Sequence, residues 1–240
     1  MVACLWQQRI DADTRYRVIP DGHADVIVNA NGAAVAVGLA DSAVVHHISA
    51  GSAALGLRLR PEAVATIFGT SADLLRNREL PLDDVVGSRR ARDLVDAVLE
   101  GEPDPQLLTT PPRDVALAIG LLADRTVDET AESLGLSSRH LRRLLLRHSG
   151  LGPKEHQRVL RLRRFVDSPA PLGVAAVLSG YADQPHLTRE VTRLCGVSPA
   201  RLRAERGRGE GTRHPREWWR WRDSNPRLPS SRRGFSERSR

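Results

Sequence analysis

The sequence predicts an α+β chain: an N-terminal β-rich domain with helices, an all-α domain with two helix-turn-helix units, and a disordered basic tail. Three observations carry this. Short Val, Ile and Leu runs between turn residues fill residues 5–60. Helical periodicity then takes over, and one pattern of small residue, glycine and apolar anchors occurs twice. Charge divides in the same place. Residues 1–126 hold 12 Arg against 17 Asp and Glu (12 − 17 = −5). Residues 127–206 hold 14 basic and 8 acidic residues (+6), and residues 207–240 hold 10 and 4 (+6). A basic rear half implies an anionic partner. The expected division is 1–100, a linker at 101–112, 113–206, and a tail at 207–240.

Taken in order, the strand candidates are Tyr16–Ile19, Asp25–Asn29, Ala33–Leu39, Ala43–Ile48 and Ala54–Leu59. Pro20-Asp21-Gly22, Asn29-Ala30-Asn31-Gly32 and Ala50-Gly51-Ser52 supply the turn chemistry between them. Helical patterns follow at Pro61–Phe68, Ala72–Asn77 and Arg89–Leu99. GEPDPQ at 101–106 and TTPP at 109–112 read as the linker. Beyond it come helices at Asp114–Asp124, Val127–Leu134, Ser138–His148, Pro153–Val166, Gly173–Leu178 and Gln184–Leu194, then a short turn at Pro199–Arg203. Pro153 suits the first turn of its helix, where a missing N–H is harmless. The tail is rich in Arg, Ser and Pro and has no period, so it is expected to be disordered.

Other classes of function find little here. The longest apolar run, VALAIGLLA at 115–123, has nine residues. A bilayer span needs about 20. The N-terminus has no basic segment followed by an apolar core, which points to a cytoplasmic protein. Cys4 and Cys195 fit no metal-ligand spacing. His23, Asp25, His46 and His47 do not form a metal site either, because adjacent strand residues point to opposite faces. No nucleophile–base pairing or phosphate-cradling loop stands out, so neither catalysis nor a cofactor is expected. With 35 Arg and one Lys in the chain, arginine abundance says little, and its placement must carry the argument.

The repeated device supplies that placement. In VDETAESLGLSSRHLRRLLLRHSG (127–150) a short helix carries Ala131 and Gly135 makes the turn. The next helix is anchored by Leu141, Leu144 and Leu145. In the second copy Ala176 and Gly180 precede Leu187, Val191 and Leu194. Two helices crossing steeply need a small residue at their contact, and the tight turn needs a residue that tolerates positive φ. The second helix then protrudes and can enter a major groove. The joining helix at 153–166 is about 21 Å long at 1.5 Å per residue. With the two motif bodies added, the readers are expected to lie roughly one DNA turn, about 34 Å, apart.

Residues 107–206 resemble the C-terminal DNA-binding domain of AraC/XylS-family transcription regulators, on AESLGLSSRHLRRLLLRHSGLGPKEH and GYADQPHLTREVTRLCGVSPARLR. Leu187 and Val191 depart from that family's frequent Phe, and Pro185 opens its helix. The resemblance implies promoter binding through Ser138–His148 and Gln184–Leu194. It places Arg139, Arg142, Arg143, Gln184, His186 and Arg189 toward the bases, with Thr188 on phosphate. Arg bonds guanine and Gln bonds adenine bidentately. One of Arg142 and Arg143, and Arg161, Arg163 and Arg164 on the joining helix, are candidates for phosphate contacts.

Residues 5–87 resemble the uncharacterised N-terminal domain of actinobacterial-type members, which implies a regulatory, sensor-like domain. Implied partners are double-stranded promoter DNA, RNA polymerase, a small-molecule effector and a second copy of the chain, with no membrane. Two other readings compete: a DNA-repair alkyl-transfer enzyme bearing the same reader, and a nonspecific architectural binder driven by the tail and its WWRW cluster.

Overall fold

The computed structural model describes residues 2–101 and 110–207. The tail beyond 207 and residues 102–109 of the expected linker lie outside them.

Among the described residues, seven strands build the first domain: β1 (Val2–Arg9), β2 (Thr14–Val18), β3 (Ala24–Asn29), β4 (Ala34–Val37), β5 (Val44–Ile48), β6 (Ala53–Leu59) and β7 (Glu79–Pro81). Five form an antiparallel sheet in the order β1-β6-β3-β4-β7, and β2 pairs with β5 in a separate ribbon. Strands β1 and β7 were not among the sequence's strand candidates. β1 has weak alternation of its own and is held by pairing with β6, from Val2↔Leu59 to Arg9↔Ala53. β7 is three residues long and exists through β4. Helix α1 (Val64–Phe68) follows a 3-10 turn at Pro61–Ala63, a second 3-10 turn spans Ala72–Leu75, and α2 (Leu82–Val86) and α3 (Ser88–Glu100) complete the domain.

Strand register sorts the sheet's residues onto two faces. Val26 lies opposite Leu57 and Ala36. That face packs on Val64, Ile67, Phe68, Leu94 and Val98, all buried. Each such buried side chain contributes roughly 1.5–3 kcal/mol. The other face aligns Cys4, Arg58 and Asp25 across three strands. There Arg58 forks onto Asp25 at 3.1 Å and reaches Asp21 at 2.9 Å. Trp6 Nε1–H donates to Asp25 at 2.8 Å. An added Cβ at Gly56 would fall 2.1 Å from the Trp6 ring, so the cross-strand contact requires glycine there. Burial pushes the Asp25 carboxyl up against the pull of Arg58. Burial also opposes the Arg58 charge, but Asp21 and Asp25 together outweigh it. The cluster is a paired, buried charge network inside one domain.

The second domain comprises α4 (Arg113–Leu121), α5 (Val127–Ser133), α6 (Ser138–Ser149), α7 (Pro153–Asp167), α8 (Leu172–Leu178), α9 (Gln184–Cys195) and α10 (Pro199–Gly207). α10 continues past Arg203, where the sequence suggested only a short turn, because Leu202 is buried against the second motif. Two small cores result. One holds Val115, Ala118, Leu122, Ala131, Leu141 and Leu145; the other centres on Leu162, Phe165, Ala176, Leu187, Val191 and Leu194.

The cores cross the domain boundary. Leu151 and Val159, from the helical domain, belong to the β-domain's core, and Ile19 belongs to the core of the second motif. Ala43 N–H donates to the Leu194 carbonyl at 2.7 Å. Arg17 donates to the Cys195 carbonyl at 2.8 Å and pairs with Glu205 at 3.0 Å. At the other motif, Gly150 sits so close to the Ala72 carbonyl that a Cβ would meet it at 2.7 Å. One domain therefore holds the C-terminal ends of both α6 and α9.

Candidate nucleic-acid interface

The two motifs close alike. The Leu136 N–H donates to the Ala131 carbonyl at 2.9 Å, and the Tyr181 N–H donates to the Ala176 carbonyl at 2.9 Å. Ala131 and Ala176 are buried at the helix crossings. Gly135 and Gly180 have φ of 65° and 84°, the left-handed region that an alanine would occupy only under strain. The offset between copies is 45 residues at both pairs (131 to 176, 135 to 180). From Leu141 to Leu187, and from Gly150 to Gly196, it is 46. The second turn therefore carries one extra residue.

Local chemistry starts and stops the second helix of each motif. Ser137 accepts from the His140 N–H, and Asp183 accepts from the His186 N–H at 2.6 Å. Gly150 and Gly196 end the helices in the left-handed conformation, their N–H groups bonded to Leu146 and Thr192. Upstream, Thr126 and Glu129 form a reciprocal capping box on α5.

The outward residues differ between copies. Arg139, Arg142 and Arg143 are exposed on α6, and none makes an ion pair among the described residues. Arg147, one turn beyond Arg143, extends the same face. On α9, Gln184 and Arg189 are exposed. Thr188 is half-buried, its hydroxyl donating to the Gln184 carbonyl at 2.9 Å. The His186 ring is half-buried edge-on to Tyr181 at 5.5 Å and accepts from the Ala182 N–H. Glu190 pairs with Arg158 at 3.5 Å and Arg193 at 3.3 Å.

The joining helix α7 is more committed to structure than its sequence suggested. Arg164 pairs with Asp124 at 2.7 Å and donates to the Ala123 carbonyl. Arg161 lies over the Tyr181 ring at 5.8 Å. Arg163 is half-buried and makes no ion pair among the described residues. Buried His156 faces the Ser149 hydroxyl at 2.7 Å, fastening α7 to the end of α6. Burial pushes its imidazole down to about 4.

Sequence reasoning found Arg139, Arg142 and Arg143 but not Arg147, Ser71 or Asp73, which share their surroundings. An open cavity of about 480 Å³ brings Arg139, Arg142, Arg143 and Arg147 together with Ser71 and Asp73 of the β-domain. Arg147 was legible as one more i+4 step along the arginine face. Ser71 and Asp73 left no signal, since only tertiary packing brings them there.

Residues 130–205 match a family model described as a helix-turn-helix domain. Residues 1–81 match a domain of unknown function, DUF6597. No curated protein matches the chain. Among solved structures, an AraC-type DNA-binding-domain regulator from Chromobacterium violaceum is 20% identical over 39% of this chain and 91% of its own, with TM-score 0.35. The C-terminal domain of the response regulator AraT from Geobacillus stearothermophilus is 20% identical over 40% and 88%, with TM-score 0.36. ToxT from Vibrio cholerae is 9% identical over 83% and 96%, with TM-score 0.40. Paired motifs with an exposed arginine face thus lie within a stretch, residues 130–205, that matches a helix-turn-helix domain, behind a DUF6597 match at residues 1–81.

Proposed function

We propose that the chain binds promoter DNA by placing α6 and α9 in consecutive major grooves on one face of the duplex. Arg139, Arg142 and Arg143 of α6 and Gln184 and Arg189 of α9 address base edges, with His186 beside them. Thr188 takes a phosphate contact. The observation that carries the reading is the exposed arginine face of α6, without ion pairs among the described residues, on a motif whose geometry recurs at α9. Helix α7 has 15 residues, or about 22 Å at 1.5 Å per residue. With the motif bodies added, this suits readers about one helical turn of DNA apart.

The β-domain is the regulatory part in this reading. It grips both motifs, so an effector bound there, or a second copy of the chain, would change the population competent to bind. RNA polymerase is the partner through which bound protein would act on transcription. No chemistry is assigned to the protein. An alkyl-transfer role would need an activated thiol, whereas burial pushes both Cys4 and Cys195 up, Cys195 to about 12.

Selection of bound duplexes from a random pool by the full chain tests the proposal. Two preferred base clusters about ten base pairs apart are expected. A pool that shows no enriched sequence at moderate salt would sink it, and a single cluster would remove α9 from the reading.

A further inference from the structure

The arginine-lined cavity at α6 is walled on one side by the other domain. Its floor is the 3-10 turn at Ala72–Leu75, pinned against the helix by the Gly150–Ala72 contact. Ser71 and Asp73 stand there opposite Arg139, Arg142, Arg143 and Arg147. Asp73 is exposed, makes no ion pair among the described residues, and accepts a hydrogen bond from the Ser71 hydroxyl. No ion pair among the described residues neutralises its carboxylate, which the Ser71 hydroxyl holds by one hydrogen bond.

We propose that the β-domain is itself part of the DNA-facing surface. When α6 occupies a major groove, the turn from Ser71 to Leu75 runs beside the duplex backbone. There the Asp73 carboxylate opposes the phosphates that the four arginines attract, so Asp73 sets how strongly the first reader grips DNA of any sequence. This rests on the reading of α6 given above. The physical basis is that a fixed like charge within a Debye length of phosphate subtracts from affinity, and more so as salt falls. Because phosphate contacts carry no sequence information, the effect falls on unrelated duplex as well as on the preferred site.

The test uses the full chain, a duplex obtained by selection and an unrelated duplex, with fluorescence anisotropy between 50 and 200 mM salt. Asp73→Asn keeps the acceptor for Ser71 and removes the charge, and is expected to tighten both duplexes about 3- to 10-fold. It also steepens the dependence of log affinity on log salt by up to about 0.9, the share of one phosphate contact. Asp73→Lys goes further in the same direction, while Asp73→Glu matches the parent. A merely structural role would make Asn and Glu alike. Unchanged affinity and slope in both the Asn and Lys variants overturn the inference. If the parent shows no preferred duplex, or Arg142→Ala binds as the parent does, the assignment of α6 as a reader fails instead.

Discussion

Helices α6 and α9 share a frame and differ in what they leave open. α6 presents three arginines with no ion pair among the described residues, whereas α9 has Glu190 tied to Arg158 and Arg193, and Thr188 and His186 engaged within their own turn. The equivalent C-terminal positions diverge as well. Ser149 meets His156, and 46 residues on, Cys195 is a buried thiol whose carbonyl is held by Arg17. Matching backbone geometry therefore does not mean matching work. In the proposed reading the first copy would be the stronger electrostatic reader, and the second the more tightly braced one.

The largest effect tests whether the frames are equally firm. Leu145 and Leu187 are each 0% exposed in their respective cores. Truncating either to alanine is expected to cost about 2–5 kcal/mol in chemical denaturation. A Leu187→Ala cost well below that of Leu145→Ala would show the second copy to be loosely packed and break the parallel.

Acid should distinguish the copies next. His156 is neutral in the fold with its imidazole near 4, against about 6.5 when unfolded. A depressed folded value means the stabilisation is fully present above about pH 6.5 and is lost as pH falls toward 4. The loss is on the order of 3 kcal/mol. His156→Gln should flatten that slope relative to the parent in denaturation at pH 7.5, 5.5 and 4.5. An unaltered slope would mean that the buried imidazole is not the group responsible.

The smallest difference concerns binding itself. Arg142→Ala is expected to weaken binding to a selected duplex by about 1–3 kcal/mol, and Arg189→Ala to sit at the lower end of that range. The reverse order in anisotropy titrations would invert the ranking of the two readers.

Much of this was legible in the sequence, for local reasons. α6 and α9 start where Ser137 and Asp183 cap them and stop at Gly150 and Gly196, signals that need no tertiary context. The fold class followed from the change of period after residue 60. β1, β7 and α2 were not visible, because two of them are very short and all depend on neighbours far along the chain. The arginines of α7 show the same limit from the other side. Arg164 and Arg161 look free in one dimension, yet their partners Asp124 and Tyr181 lie elsewhere in the fold. The surroundings of α6 were half legible: the arginine row by its spacing, Asp73 not at all.

The sharing of Leu151, Val159 and Ile19 between cores has a consequence for engineering. The reader cannot be cut out and transplanted as a cassette. Its removal would strip two apolar plugs from the β-domain and leave Ile19 facing water. A chimaera would have to carry those three positions, and the Gly150–Ala72 seam, across the splice.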